Sequence, residues 1–146
     1  MSALAIALAA VVYVLAVLHA YWGLGGYWPA ASTERLAKAA VGTPGITRMP
    51  GIASCFVVAG LLAAVASWPL FAARMLPEAW PRWLTLLAGA GIVAVFAGRG
   101  VARYTSAWRR RFSEEPFATL DVRAYAPLCL LLGAGYAALL IMGANI

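Results

Sequence analysis

The sequence predicts an all-α integral membrane protein, a four-helix antiparallel bundle, and three observations carry that prediction. The 146-residue chain is 64% hydrophobic and only 11% charged, with a mean hydropathy of +0.86. Soluble domains are about 45–50% apolar and about 25% charged, and a soluble domain of this length could not hide so much apolar surface. The apolar residues form four continuous runs rather than an alternating pattern, which points to helices and away from a barrel. The basic residues stand in the connections between those runs. Plentiful aromatics, absent heptads and two cysteines exclude disorder, a coiled coil and a disulfide-rich secreted module. The net charge of +6 and pI near 9.9 come without any nucleic-acid recognition motif, so basic residues are assigned to orientation and to anionic head groups.

Residues 1–146 read as a single transmembrane domain with spans at about 3–24, 52–75, 83–104 and 122–143. Each approaches or exceeds the roughly 17–25 residues that a helix needs to cross a bilayer while satisfying its own backbone. The first run is read as a retained span, because no Lys or Arg precedes it and Tyr21-Trp22 stands where small cleavage-site residues would be. A lipidation motif is absent. Between spans, Ser32-Thr33-Glu34 is expected to cap a short helix through Ala40, ended by Gly42 and Pro44. Gly23, Gly25, Gly26 and Trp28-Pro29 make a firm break after the first span. Ser113-Glu114-Glu115 is expected to start a further helix after the arginine run. Packing is assigned to small-residue stripes: Ala90, Ala94 and Gly98 on span three, Gly60 with Ala64 on span two, and Gly133 with Ala137 on span four.

Orientation follows from charge. The first connection holds Arg35, Lys38 and Arg48, and the third holds Arg99, Arg103, Arg109, Arg110, Arg111 and Arg123, against Arg74 and Arg82 in the second. The positive-inside rule places the first and third connections in the cytoplasm of an inner (plasma) membrane, with both termini outside.

Two stretches carry a resemblance. His19-Ala20-Tyr21-Trp22-Gly23-Leu24-Gly25-Gly26 closes span one, and Phe117-Ala118-Thr119-Leu120-Asp121 runs through Tyr125-Ala126-Pro127-Leu128-Cys129-Leu130 into span four. With Arg99-Gly100 and Arg103-Tyr104, the chain resembles an uncharacterised bacterial family of small four-span integral membrane proteins, a domain of unknown function. The resemblance covers nearly the whole chain and implies four helices. It also implies that His19, Trp22, the glycines, Arg99, Asp121, Tyr125 and Pro127 are family positions, and it brings no activity.

Antiparallel threading puts the costly side chains at one depth. His19 ends span one, Cys55 begins span two, Arg99 ends span three, and Asp121, Tyr125 and Cys129 open span four, while the other leaflet reads as almost pure Ala, Leu, Val and Ile. Ionisable groups in a membrane are expensive and usually have a partner or a function. His19, the single histidine, is either a hydrogen-bonded interfacial residue or a proton-transfer or ligand-binding group. Asp121 is either a structural partner of Arg99 or Arg103, or an acid whose face continues through Tyr125 and Cys129 at helical spacing. Arg99 splits between snorkelling, pairing with Asp121 and gripping an anionic substrate. Pro127 reads as a helix entrance, with ordinary initiation favoured. Cys55 and Cys129 default to small apolar packing, and Tyr21 and Trp22 to an interfacial belt.

The function these residues support is an enzyme on a lipophilic, isoprenoid- or sterol-like substrate, working by acid–base isomerisation or cyclisation. His19, Asp121, Tyr125 and Arg99 are its catalytic candidates. Trp22, Tyr21, Cys55, Cys129, Phe117 and Arg103 are its substrate-binding candidates. No metal or cofactor is called for, since no ligand-spacing motif accompanies the single histidine. The expected partners are membrane lipids and the substrate, with a homo-oligomer or a partner membrane protein left open. A non-catalytic partner or scaffold using Trp108-Arg109-Arg110-Arg111 is the alternative, and a small transporter is a weaker one because the outer halves lack polar residues.

Overall fold

The computed structural model describes residues 1–77 and 80–144. In chain order the helices are α1 (Ser2–Gly23), α2 (Thr33–Ala40), α3 (Ile52–Ala72), α4 (Arg82–Ala102), α5 (Ser106–Arg111), α6 (Phe117–Leu120) and α7 (Ala126–Ala144), with a π-helical turn at Asp121–Tyr125 joining the last two. Four helical stretches are long and apolar enough to cross a membrane: α1, α3, α4 and the continuous Phe117–Ala144 segment. They fall on the four apolar runs, and the described residues contain no strand.

The short elements follow local chemistry. Ser32 accepts the Arg35 backbone N–H at 3.2 Å, which caps α2 as its sequence requires. Glu34 and Lys38 pair at 2.9 Å one turn apart, and Gly42, at φ +76°, ends the segment. After α1 the chain turns through Gly25 at φ +90°, and the Trp22 indole N–H ties the break by donating to the Trp28 carbonyl at 2.8 Å.

The expected helix start at Ser113-Glu114-Glu115 is corrected by the structure. Helix begins at Phe117, after Pro116, and the two acids serve elsewhere. Glu114 accepts the Gly45 N–H at 3.0 Å while donating its own N–H to the Gly42 carbonyl at 3.1 Å. Glu115 accepts the Thr119 N–H at 3.2 Å. The first and third connections are thereby stitched together into a cap over one end of the bundle.

Pro127 does not open a helix either. It lies inside α7, where it has no N–H to offer and its ring crowds the carbonyl four residues earlier. The chain absorbs this by widening one turn: the Ala126 N–H reaches the Asp121 carbonyl, five residues back. The helix therefore runs unbroken past the proline, with one extra residue in that turn.

Helix α1 packs chiefly on α3, and α4 on α7. The core between the pairs is built from Leu8, Val12, Trp68, Leu132, Tyr136 and Leu139. Two of the three predicted stripes face outward, which corrects the packing assignment. Ala90, Ala94 and Gly98 are exposed, as are Gly60 and Ala64, whereas Gly133 does approach the Ala97 backbone. The close approaches belong instead to Gly89, beneath the Trp68 ring, and Gly100, against Leu130 and the Ala126 carbonyl. In Gly89→Val the new Cβ would stand 2.2 Å from the Trp68 ring, so we expect a loss of about 1–3 kcal/mol in detergent thermal melts. Gly98→Ala meets open space and is expected to melt within about 0.5 kcal/mol of wild type.

The half of the bundle away from the cap is also less aliphatic than its sequence implies. Tyr136 donates to the Val65 carbonyl at 2.9 Å, Trp68 to the Thr85 carbonyl at 2.7 Å, and Trp80 to the Thr85 hydroxyl at 3.0 Å. Arg82 spans the Ala72 and Gly143 carbonyls at 3.3 and 3.1 Å, tying the ends of α3 and α7. These polar groups are consumed by protein partners, mostly backbone carbonyls, as lipid demands.

Candidate functional site

Beneath the cap, the π-helical turn carries Asp121 into the bundle, where its side chain is 1% exposed. Arg99 and Arg103, one helical turn apart at the end of α4, converge on it from the neighbouring helix. Arg99 donates through Nη2 to Asp121 Oδ1 at 2.6 Å. Arg103 Nε lies 3.6 Å from Oδ2, an electrostatic contact too long for a hydrogen bond, while its Nη2 donates to the Ala118 carbonyl at 3.1 Å. The Oδ2 hydrogen bond comes from the Trp108 indole N–H on α5, at 2.9 Å. The same indole lies under the Arg99 guanidinium, 4.4 Å from ring centroid to Cζ.

This knot fixes Asp121 as an acceptor on both oxygens. It also leaves a surplus: two guanidiniums face one carboxylate, and Arg99 Nη1 and Arg103 Nε are buried without a hydrogen-bond partner. Trp108→Phe keeps the ring face and deletes the donor, so it is expected to cost about 1–3 kcal/mol in melting experiments.

Arg99 is also part of a wall. A cavity of about 310 Å³ lies beside it, bounded by His19 and Trp22 of α1, Ser54, Cys55 and Val58 of α3, and Trp108, Phe112 and Phe117 of the third connection and α6. Ala40, Val41, Met49 and Pro50 close it from the first connection. Gly42 makes room for this: a Cβ there would stand 2.2 Å from the Phe117 ring, and φ +76° already disfavours a side chain. The aromatic wall is continuous, since Trp108, Phe112 and Phe117 lie 4.4 and 5.9 Å apart by ring centroid.

His19 sits 4.9 Å from the Trp22 ring and points Nδ1 at the Leu15 carbonyl, 2.7 Å away. A carbonyl only accepts, so Nδ1 carries the proton in that bond and Nε2 is the free nitrogen. His19, with Nε2 unbonded, and Arg99 thus line one cavity among mostly apolar walls.

The residues singled out in the sequence divide into three groups. His19, Trp22, Cys55, Arg99 and Phe117 line the cavity. Asp121 and Arg103 stand behind its wall, joined to it through Arg99. Tyr125, Cys129 and Tyr21 lie outside the lining: the Tyr125 hydroxyl donates to the Ala39 carbonyl at 2.9 Å, Cys129 is half-buried, and Tyr21 is exposed beside Gly26. Across the π turn the Tyr125 hydroxyl is spent on the first connection rather than on Asp121. Both cysteines are free, and Cys55 points its thiol toward the Pro50 carbonyl.

Trp108, Ser54, Phe112 and Met49 were not distinguished by sequence reasoning. Trp108 reads as part of a basic surface run, and only its indole donor, set near a membrane-buried acid, hints at more. Among the described residues no three His, Cys, Asp or Glu gather as metal ligands.

Residues 4–136 match the family described as "Protein of unknown function (DUF3995)". The chain belongs to the DUF3995 family. No curated protein and no solved structure matches it. In this DUF3995 protein the match takes in the four long helices as far as Tyr136, and with them the cavity and the Asp121 knot.

Proposed function

We propose that this protein is a small membrane enzyme acting on a lipophilic substrate, of isoprenoid or sterol-like character, by acid–base isomerisation. Its cavity opens at the basic end of the bundle, which the positive-inside rule assigns to the cytoplasmic leaflet. One observation carries the reading: His19, whose Nε2 makes no hydrogen bond, and the Arg99 guanidinium line one cavity whose other walls are largely apolar.

The chemistry needs no co-reactant. His19 Nε2 takes a proton from a carbon beside a carbonyl or similar oxygen function, and Arg99 stabilises the negative charge that develops on that oxygen. The protonated imidazole returns the proton to a different carbon, so a double bond migrates with no net change in composition. Asp121 and Trp108 hold Arg99 in place and are positioning residues. Cyclisation is the weaker alternative, because starting it needs a strong acid beside an alkene, and both Asp121 oxygens are engaged as acceptors.

Comparing lipid extracts from cells with and without the gene tests the reading by mass spectrometry. A pair of isomers should shift in ratio. A lipid profile unchanged across growth conditions would contradict it.

A further inference from the structure

The geometry points to a defined head group: the cavity takes a single-chain amphiphile whose end is an anionic oxygen group, carboxylate or phosphate, seated on Arg99. This rests on the reading of the cavity as a lipophile site and adds the charge of what enters it. The Asp121 knot is not electrically closed. Arg99 and Arg103 bring two positive charges to one carboxylate. Their remaining donors, Arg99 Nη1 and Arg103 Nε, are buried without a hydrogen-bond partner. A buried guanidinium N–H left unmatched is costly, and in a membrane-embedded site there is little water to repair it. Both donors are enclosed, so the charge surplus is what a ligand answers: an oxygen anion in the cavity, against the part of Arg99 that lines it, supplies the missing negative charge, and guanidinium is the side chain best matched to it.

Two further features select an amphiphile over a free anion. Met49, Val58, Phe112 and Phe117 leave the rest of the cavity apolar. Its volume of about 310 Å³ lies at the small end of ligand sites, which run to about 300–1,000 Å³, so it suits one chain rather than a two-chain lipid. His19 lines the same cavity and makes no hydrogen bond through Nε2, so the imidazole borders the bound chain.

Binding of tritiated palmitate to the purified full chain in neutral detergent, read by scintillation proximity, tests this. The competitors are unlabelled palmitate, hexadecyl phosphate, hexadecanol and inorganic phosphate. Palmitate should bind saturably, hexadecyl phosphate should displace it, and hexadecanol should compete at least tenfold more weakly. Inorganic phosphate at the same concentration should leave it bound. Arg99→Gln leaves Asp121 balanced by Arg103 alone, removing the surplus charge, and should erase the preference for palmitate over hexadecanol. Neutralising the exposed Arg109 and Arg110 should leave that preference intact, which separates the cavity from a merely basic surface.

Equal competition by hexadecanol would overturn the anionic assignment and leave the lipophile cavity standing. Displacement by inorganic phosphate at palmitate's own concentration would make the site one for free anions and overturn the amphiphile. Absence of saturable binding by palmitate and hexadecanol alike would remove the lipophile reading as well. Because the wild-type competition series needs no variant, failure of Arg99→Gln to fold leaves the test intact.

Discussion

Asp121→Ala is expected to be the most damaging single substitution in the chain, lowering stability by about 3–5 kcal/mol. The side chain is 1% exposed and balances the guanidinium of Arg99 at 2.6 Å and part of that of Arg103. Removing it leaves two cations facing each other in a site shielded from water, the situation in which breaking a buried pair costs most. Arg99→Met should be damaging for the reciprocal reason, although Arg103 and Trp108 would still contact the carboxylate. The informative comparison is the double variant Arg99→Met with Asp121→Leu. Replacing both partners by apolar groups of similar size should recover the part of the loss owed to Arg99, while Arg103 still lacks its carboxylate. Melting temperatures of the two single variants and the double variant in one detergent supply the cycle. Additive losses would mean that the two residues act independently and that the knot does not hold this end of the bundle.

The second large effect concerns chemistry. His19→Gln should lower isomer turnover by about 10²–10⁴-fold while costing only about 1 kcal/mol of stability, the worth of its bond to Leu15. Turnover is read from the isomer ratio in lipid extracts, and folding from the melt of the same purified variant. Neutralising Arg109 and Arg110 should leave turnover unchanged, because both arginines are exposed and neither lines the cavity. The opposite pattern, with loss on neutralising the arginine run and none at His19, would favour a scaffold that reads head groups or a partner through its third connection.

How much of this was legible in the sequence depends on which physical constraint acts on each part. The four long helices were, because lipid forces every spanning segment to be apolar and self-bonded, and that leaves few alternatives for the runs containing Val12, Ala66, Phe96 and Tyr136. The Arg99–Asp121 pair stood among the alternatives because charges this deep need partners. The packing face of α4 was misassigned for a related reason. Small residues occur on two sides of that helix, and in a uniformly apolar segment the lipid-facing side carries no contrasting polarity to distinguish it. Gly89 and Gly100 lie on the packed side, but their separation of three turns looks like nothing in a linear reading.

The site was only half legible. Spacing of four grouped Asp121, Tyr125 and Cys129, but it showed neither the wide turn before Pro127 nor that the Tyr125 hydroxyl would go to the Ala39 carbonyl. What Pro127 does to the local helix is predictable as a strain, not as a choice between starting a helix and bulging one. Trp108 was hidden by its neighbours, since an arginine run reads as a solvated face and the tryptophan within it as a belt residue. Its role depends on α5 folding back against the end of α4, a contact that no local pattern announces.

An experimental density map of the protein in lipid nanodiscs tests the central claim most directly. The account predicts Asp121 held between Arg99 and the Trp108 indole, with elongated density for a bound chain running from Arg99 past His19 along Phe112 and Phe117. A map in which His19 and Arg99 are parted by packed side chains, with Asp121 turned to bulk solvent, would contradict it.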